Sequence, residues 1–346
     1  MRRLKILATA LLVSASGVRA DVPNVVVDIP PVFSLVSSVM QGVGTPKLLL
    51  RGNESPHNFA LRPSQRRDLG QADIIFWIGE GLTPWLEKAQ ASLTQTPISV
   101  ALGEQTGVVQ LSFREGAFFE NHGDHDDHDD HDDHDGRGEV NGHTEHNRAE
   151  THENAAAHDG KDHQDHAGHD HAGLDPHFWL DPENAIHWIY TIADILSQKD
   201  PENAGAYYAN ATRTKASLEL LNKNIAQQLA PHRAERFLIV HDAFQYFEAR
   251  FGLAAQGAIS DGHAAPPSAA RILAIRKLMQ DQKISCVFAE PGYNAKLLDN
   301  LISETSVRLK QLDPLGAGLP LDHTLYEAVL QNMADTMVAC FTNNEG

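Results

Sequence analysis

Only two cysteines, Cys286 and Cys340, occur in 346 residues. That scarcity excludes a small disulfide-stapled scaffold and any zinc finger built on cysteine. Basic residues are also few. The chain has 28 Lys and Arg against 46 Asp and Glu, a formal net charge of −18. A surface of that sign repels a phosphate backbone, so nucleic acid is not an expected partner. No apolar run reaches the roughly 20 residues needed to cross a bilayer. The sequence also lacks H-E-x-x-H, G-x-S-x-G and a Gly-rich phosphate loop, and "GVGTPK" (Gly42–Lys47) departs from the P-loop pattern. These absences remove the usual signatures of zinc proteases, serine hydrolases and nucleotide hydrolases, and the chain is not expected to be an enzyme.

The N-terminus carries an address. "MRRLKILATALLVSASGVRA" has Arg2, Arg3 and Lys5, then an apolar run from Ile6 to Val13, then the small-x-small triplet Val18-Arg19-Ala20. This predicts a signal peptide over residues 1–20, cleaved after Ala20 to leave a soluble chain starting at Asp21. No cysteine lies near that point to take a lipid anchor, and the periplasm of a Gram-negative bacterium fits best. In an oxidising compartment the even pair Cys286 and Cys340 suggests a disulfide, with two buried free thiols as the alternative. Closing a loop of roughly 55 residues would stabilise the fold by about 4 kcal/mol in the chain-entropy treatment.

What the chain has in excess is histidine beside acid. Between Glu120 and Gly173 lie 13 of its 20 His and 17 Asp and Glu, with only 3 Lys and Arg. Like charges repel and extend, and almost nothing there is apolar enough to bury. A disordered insert over residues 115–173 is predicted. Neutral imidazole binds Zn²⁺, Cu²⁺ and Ni²⁺, and the carboxylates raise the local cation concentration. His122, His125, His128, His131, His134, His163, His166, His169 and His171 are therefore candidate weak metal ligands. The alternative is a solubilising acidic insert.

About 270 residues remain once the leader and the tract are set aside, enough for two α/β lobes each with its own core. Short β-branched runs ("NVVVDI", "KLLLRG", "DIIFWI", "ISVAL") alternate with helical spacing ("PPVFSLVSSVM", a helix capped by Ser64, "PWLEKAQASL"). After the tract, Asp181-Pro182 and Asp200-Pro201 each read as a helix start, and the second helix is predicted to run to about Leu229. That is on the order of 40 Å at 1.5 Å per residue, long enough to join two lobes. Alternation then resumes with "RFLIV", "AFQYFEARF", "SAARILAIRKLMQ", "CVFAE", "AKLLDNLI", "VRLKQL" and a terminal helix. The predicted fold is α/β: two Rossmann-like lobes with parallel sheets, residues 21–199 and 231–346, joined by one rigid helix over 200–230, with a metal cleft between them.

Seven histidines lie outside the tract: His57, His177, His187, His232, His241, His263 and His323. His57 follows a strand in "SPHNFALRPS". His177 sits in the Pro-bounded "DPHFWLDP". His241 ends the predicted strand "FLIVH", where open α/β sheets bind ligands, and Glu290 and Asp313 share that placement. Three imidazoles plus a carboxylate or water make a four-coordinate zinc site. His187 is read as a helix-face residue, and His232, His263 and His323 as loop residues without a role.

These segments, with "VHDAFQYFEARFGL" and "CVFAEPGYNAKLLDNLISETSVRLKQLDPLGAGL", closely resemble the zinc-specific substrate-binding proteins of bacterial ABC importers, the ZnuA family. The resemblance runs from about Val25 to Phe341 and includes a His-rich loop at the position of the tract. It implies zinc ligation by His57, His177 and His241, a Cys286–Cys340 disulfide, and two lobes joined by a long helix. Some family members carry a ligating Glu just before the first His, where this chain has Pro56, which offers no donor. The fourth position is left to Asp313 or water, with Glu290 behind them. Manganese-specific relatives have Glu at the position of His241, so the imidazole there points to zinc.

The sequence thus predicts a monomeric periplasmic protein that holds Zn²⁺ as cargo and delivers it to the membrane permease of an ABC importer. The tract would act as a weaker collector, and a periplasmic zinc chaperone is a further candidate partner. The competing readings are a metal buffer, a metal-dependent adhesin, a manganese importer component, and a hydrolase using zinc-bound water.

Overall fold

The first β-branched run among the described residues pairs on both sides, and the first sheet grows around it. The computed structural model describes residues 22–51, 54–114, 118–119, 173–262, 266–303 and 305–343. The predicted leader and all nine accessory histidines lie outside the described residues. Strand β1 (Val25–Val27) lies between β2 (Lys47–Leu48) and β3 (Ile74–Trp77), and β4 (Ile98–Ala101) pairs with β3, all in parallel. The second sheet is built alike, in the order β6-β5-β7-β8, from β5 (Phe237–His241), β6 (Ala258–Ser260), β7 (Cys286–Ala289) and β8 (Arg308–Gln311). Parallel strands need crossover connections, and helices supply them. These are α1 (Pro30–Val39), α2 (Pro63–Gly70) and α3 (Pro84–Gln90) in the first half, and α6 (Gln245–Phe251), α7 (Ala269–Asp281) and α8 (Ala295–Ile302) in the second.

Between the sheets run α4 (Pro182–Lys199) and α5 (Ala204–Leu229), and α9 (Leu325–Phe341) closes the chain. Asp181 caps α4 by accepting the Glu183 N–H at 2.9 Å, with Pro182 in the first turn, where no donor is needed. Helix α5 is 26 residues, roughly 39 Å at 1.5 Å per residue. It buries Tyr207, Ala211, Leu218, Leu221, Ile225 and Leu229 at helical spacing. A 3₁₀ turn at Pro201–Asn203 precedes it and another at Ala230–His232 follows, so one long helical segment joins the two halves as expected.

Residues alternate across each sheet. In β1 and β3, Val25, Val27, Ile74 and Phe76 face a large central cluster, while Val26, Ile75 and Trp77 face α2 and α3. In β5 and β7, Phe237, Ile239, Cys286 and Phe288 face the same central cluster, while Leu238, Val240, Val287 and Ala289 face α7 and α8. The inner faces of both sheets therefore share one apolar core with α1, α4, α5 and α9. Each half also has an apolar cluster of its own on the outer face of its sheet, and the shared core is an addition to the expected one core per lobe. The long helix is packed along its length by α4, α1 and α9.

Local differences from the sequence reading have simple causes. Helix α2 begins at Pro63, one residue ahead of Ser64, so Ser64 is not its cap. The Gln65 side chain instead accepts the Arg62 N–H at 2.7 Å. Strand β6 was not anticipated because three residues are too few to establish a period. Order also reaches past the predicted tract boundary at residue 115: the Phe119 N–H donates to Gln256 O at 3.1 Å, and Phe118 bridges Gly257. Cys286 at the start of β7 and Cys340 in α9 are joined by a disulfide.

Candidate metal centre

Three segments far apart in sequence deliver three imidazoles to one place. His57 lies in the loop after β2, held where the Trp85 indole of α3 donates to Pro56 O at 2.7 Å. Phe59 packs on the same indole at 5.0 Å. His177 ends the segment returning from the tract, where Asp175 N donates to Leu111 O and the Tyr246 hydroxyl to Asp175 O, each at 2.8 Å. His241 is the last residue of β5. Ring centroids are 5.5 Å apart for His57–His177, 5.6 Å for His57–His241 and 5.1 Å for His177–His241. One ligand nitrogen from each lies within 4.8 Å of the others. A tetrahedral ion at 2.0–2.1 Å from nitrogen spaces its ligands by about 3.3 Å, so a small inward movement of the rings completes the set. His177 and His241 are 2% and 3% exposed, and His57 is half-buried.

Carboxylates stand behind two of the rings. Asp175 Oδ1 lies 2.7 Å from His177 Nδ1 and also accepts the His177 backbone N–H at 3.0 Å. Glu290 Oε2 lies 2.7 Å from His241 Nδ1. Strand pairing explains the second contact. Ile239 is in register with Phe288, so two residues further on His241 and Glu290 leave the sheet side by side. A carboxylate on the back nitrogen fixes the ring and leaves Nε2 as the metal-facing donor. Burial works against a charge on His241, but Glu290, the Gly262 carbonyl 3.2 Å from Nε2, and Asp242 outweigh it and hold the imidazolium up to about 9. Burial likewise works against charge on Glu290, but His241 and His177 outweigh it and hold its carboxyl below the usual range. A Cβ at Gly262 would sit 2.3 Å from the Phe113 ring, so any other residue there would have to displace that ring.

The imidazoles face a cavity of about 220 Å³ whose wall also includes Glu54, Trp179, Glu290, Tyr293 and Asp313. Asp313 is in that wall but outside the three-nitrogen group. Its Oδ1 accepts the N–H groups of Leu315 and Gly316, and its Oδ2 that of Ala317, so the carboxylate closes its own turn. Glu290, weighed from sequence as a ligand, lies in the same wall and sets its Oε2 against His241 Nδ1. The histidines given no role stay apart: His187 is exposed on α4, the His232 ring lies 5.7 Å from that of Phe341, and His323 meets Gln41 at 3.3 Å. His263 lies outside the described residues. The sequence reading missed Asp175 and Trp179, although the spacing D-P-H in "LDPHFW" carried a signal for the first.

A further group backs the site. The Arg114 guanidinium pairs with Asp242, the neighbour of His241, and with Glu248 at 2.8 Å. It also covers the Phe119 ring at 3.9 Å. This ties Arg114 and Phe119 to the end of β5.

The fold and the site together define a metal-binding protein with two parallel α/β sheets, a packed connecting helix and a three-imidazole cleft. Comparison with known proteins gives the family. A family model described as "Zinc-uptake complex component A periplasmic" (ZnuA) matches residues 25–340. The chain is 41% identical over 338 residues to the high-affinity zinc uptake system protein ZnuA of Brucella suis biovar 1 (strain 1330), covering 97% of each chain. It is 41% identical over 336 residues to the protein of that name from Paracoccus denitrificans (strain Pd 1222), again covering 97% of each. A crystal structure of ZnuA superposes with a TM-score of 0.66 at 23% identity, covering 91% of this chain and 99% of that one. The chain belongs to the ZnuA family. Among the described residues no helix is long and apolar enough to cross a membrane.

Proposed function

We propose that this protein captures Zn²⁺ in the three-histidine cleft and delivers it to the membrane permease of an ABC-type importer in the periplasm. The observation that carries the reading is the convergence of His57, His177 and His241, whose donor nitrogens lie within 4.8 Å of one another. Three neutral nitrogen donors suit tetrahedral Zn²⁺, whereas Mn²⁺ favours oxygen and higher coordination. Water completes the coordination, because Asp313 is held by three backbone N–H groups. Zinc is cargo here, so release to the permease, and not turnover, is the functional step. The protein acts as a monomer and binds without catalysis. The His-rich tract collects zinc weakly and raises its concentration near the cleft.

Competition titration against a zinc chelator tests the site. Alanine at His57, His177 or His241 should each weaken tight binding by at least about 100-fold, as expected for the loss of one of three protein ligands. His187→Ala should change nothing. His241→Glu should weaken zinc and narrow the Zn²⁺/Mn²⁺ affinity ratio, because an oxygen donor replaces nitrogen. Tight binding that survives all three alanine variants would move the site elsewhere. Zinc uptake by cells relying on each variant then separates import from storage: a buffering protein would leave uptake unchanged in every variant.

A further inference from the structure

Neutral imidazoles bring no charge to an ion. A dication held by them alone would be desolvated without compensation, which is costly. Here two rings are each backed by a carboxylate at 2.7 Å, Asp175 behind His177 and Glu290 behind His241. The cavity wall holds no Lys or Arg among the described residues. The two other carboxylates in that wall are engaged elsewhere. Glu54 pairs with the Arg62 guanidinium, and Asp313 receives three backbone N–H groups.

Monovalent Cu⁺ and Ag⁺ are soft ions that also bind imidazole. Ligand chemistry alone therefore does not keep them out, but charge does. The Coulomb energy between an ion and a fixed carboxylate scales with the ion's charge, so a dication gains twice what a monovalent ion gains at the same distance. We propose that Asp175 and Glu290 are the specificity-determining pair of this site: their two negative charges, set behind His177 and His241, select a divalent ion over a monovalent one. The proposal rests on the three-histidine reading and adds the ion-charge filter to it.

The test uses the full mature chain and its variants Asp175→Asn and Glu290→Gln. Both substitutions keep the side chain's shape and an oxygen that accepts the ring N–H. Free Zn²⁺ or Ag⁺ is fixed by a buffering ligand, so ions held by the tract do not deplete it. With Cys286 and Cys340 joined, neither offers a thiolate to silver. Occupancy is read from tryptophan fluorescence, since the Trp179 ring lies 5.3 Å from His177 and the Trp85 indole holds the His57 loop.

Loss of an outer partner typically weakens metal binding about 10–100-fold. If charge is the cause, the loss for Ag⁺ is the square root of that, about 3–10-fold. The Zn²⁺/Ag⁺ preference should therefore fall about 3–10-fold in each variant. The ratio cancels any change common to both ions, including altered proton competition or looser rings. A ratio unchanged in both variants would mean that the pair only orients the rings, and the charge role would be overturned. His57→Ala is the separate control. If zinc still bound tightly there, the three-histidine reading would fail, whatever the ratio did.

Discussion

The Trp179 indole Nε1 donates to Pro314 O at 2.8 Å. Trp179 precedes α4, and Pro314 follows β8 of the second sheet, so this buried bond ties the two halves beside the metal cavity. The Trp179 carbonyl accepts the Tyr326 hydroxyl of α9 at 2.7 Å, and its ring packs 5.3 Å from that of His177. One residue thus touches a candidate ligand, the opposite wall of the cleft and the shared core.

Trp179→Phe keeps an aromatic ring but removes the donor and leaves a buried carbonyl without its partner. The expected cost is about 1–3 kcal/mol of stability. It should appear as a lower urea midpoint with little change in slope. Zinc affinity should fall several-fold as the His177 ring loosens. An unchanged midpoint would mean that the bond is not formed in solution.

Replacing Cys286 and Cys340 by Ser removes the link between β7 and α9. Both side chains are fully buried, so the loss of the cross-link adds to the cost of two buried hydroxyls. Stability should drop by about 2–5 kcal/mol. Thermal unfolding with and without reductant checks this: reductant should lower the midpoint of the wild-type protein and leave the variant unmoved. Zinc affinity should be retained once the variant is folded, because neither sulfur is near the cavity wall.

Much of the fold was legible because parallel strands buried on both faces stand out as apolar runs between capped helices. Val25–Val27, Ile74–Trp77 and Phe237–His241 are of that kind. Periodicity reports which face of an element is apolar, but not what covers it. The common core of the two sheets was therefore invisible, as was the packing of the joining helix α5 against α4, α1 and α9. The three candidate ligands stand out in the sequence as histidines in unusual settings. Their partners were harder. Glu290 meets His241 only because β5 and β7 are neighbours in register, and strand order is a tertiary fact. Asp175 looked like turn punctuation before Pro176, and its role depends on the side chain folding back onto His177.

The described residues fall in one compact unit that contains all three candidate ligands. Deleting 120–170 should therefore leave one tight zinc site and abolish the weak ones contributed by the His-rich tract. Calorimetric titration of both forms counts the ions. Loss of tight binding on deletion would make the tract part of the primary site.

Protons compete with zinc at His241. Metal-free His241 is held protonated up to about 9, because Glu290, the Gly262 carbonyl and Asp242 outweigh burial. Zinc needs the lone pair on a ring nitrogen, so binding at neutral pH must expel that proton. Above about pH 9 there is nothing to expel and affinity should be flat. Below it, apparent affinity should fall about tenfold per pH unit, the signature of one competing proton. The stability of the metal-free protein runs the other way. A folded-state value raised above the unfolded 6.5 contributes stability that is full below 6.5 and lost as pH rises through about 9. Glu290→Gln removes the main charge that raises His241, so the break in the affinity curve should move down toward the ordinary imidazole range. Chelator competition at half-unit steps from about pH 6.5 to 9.5 reads both curves. A zinc affinity that does not change across that range would mean that His241 is already neutral before the metal arrives, and its pairing with Glu290 would have to be a neutral hydrogen bond.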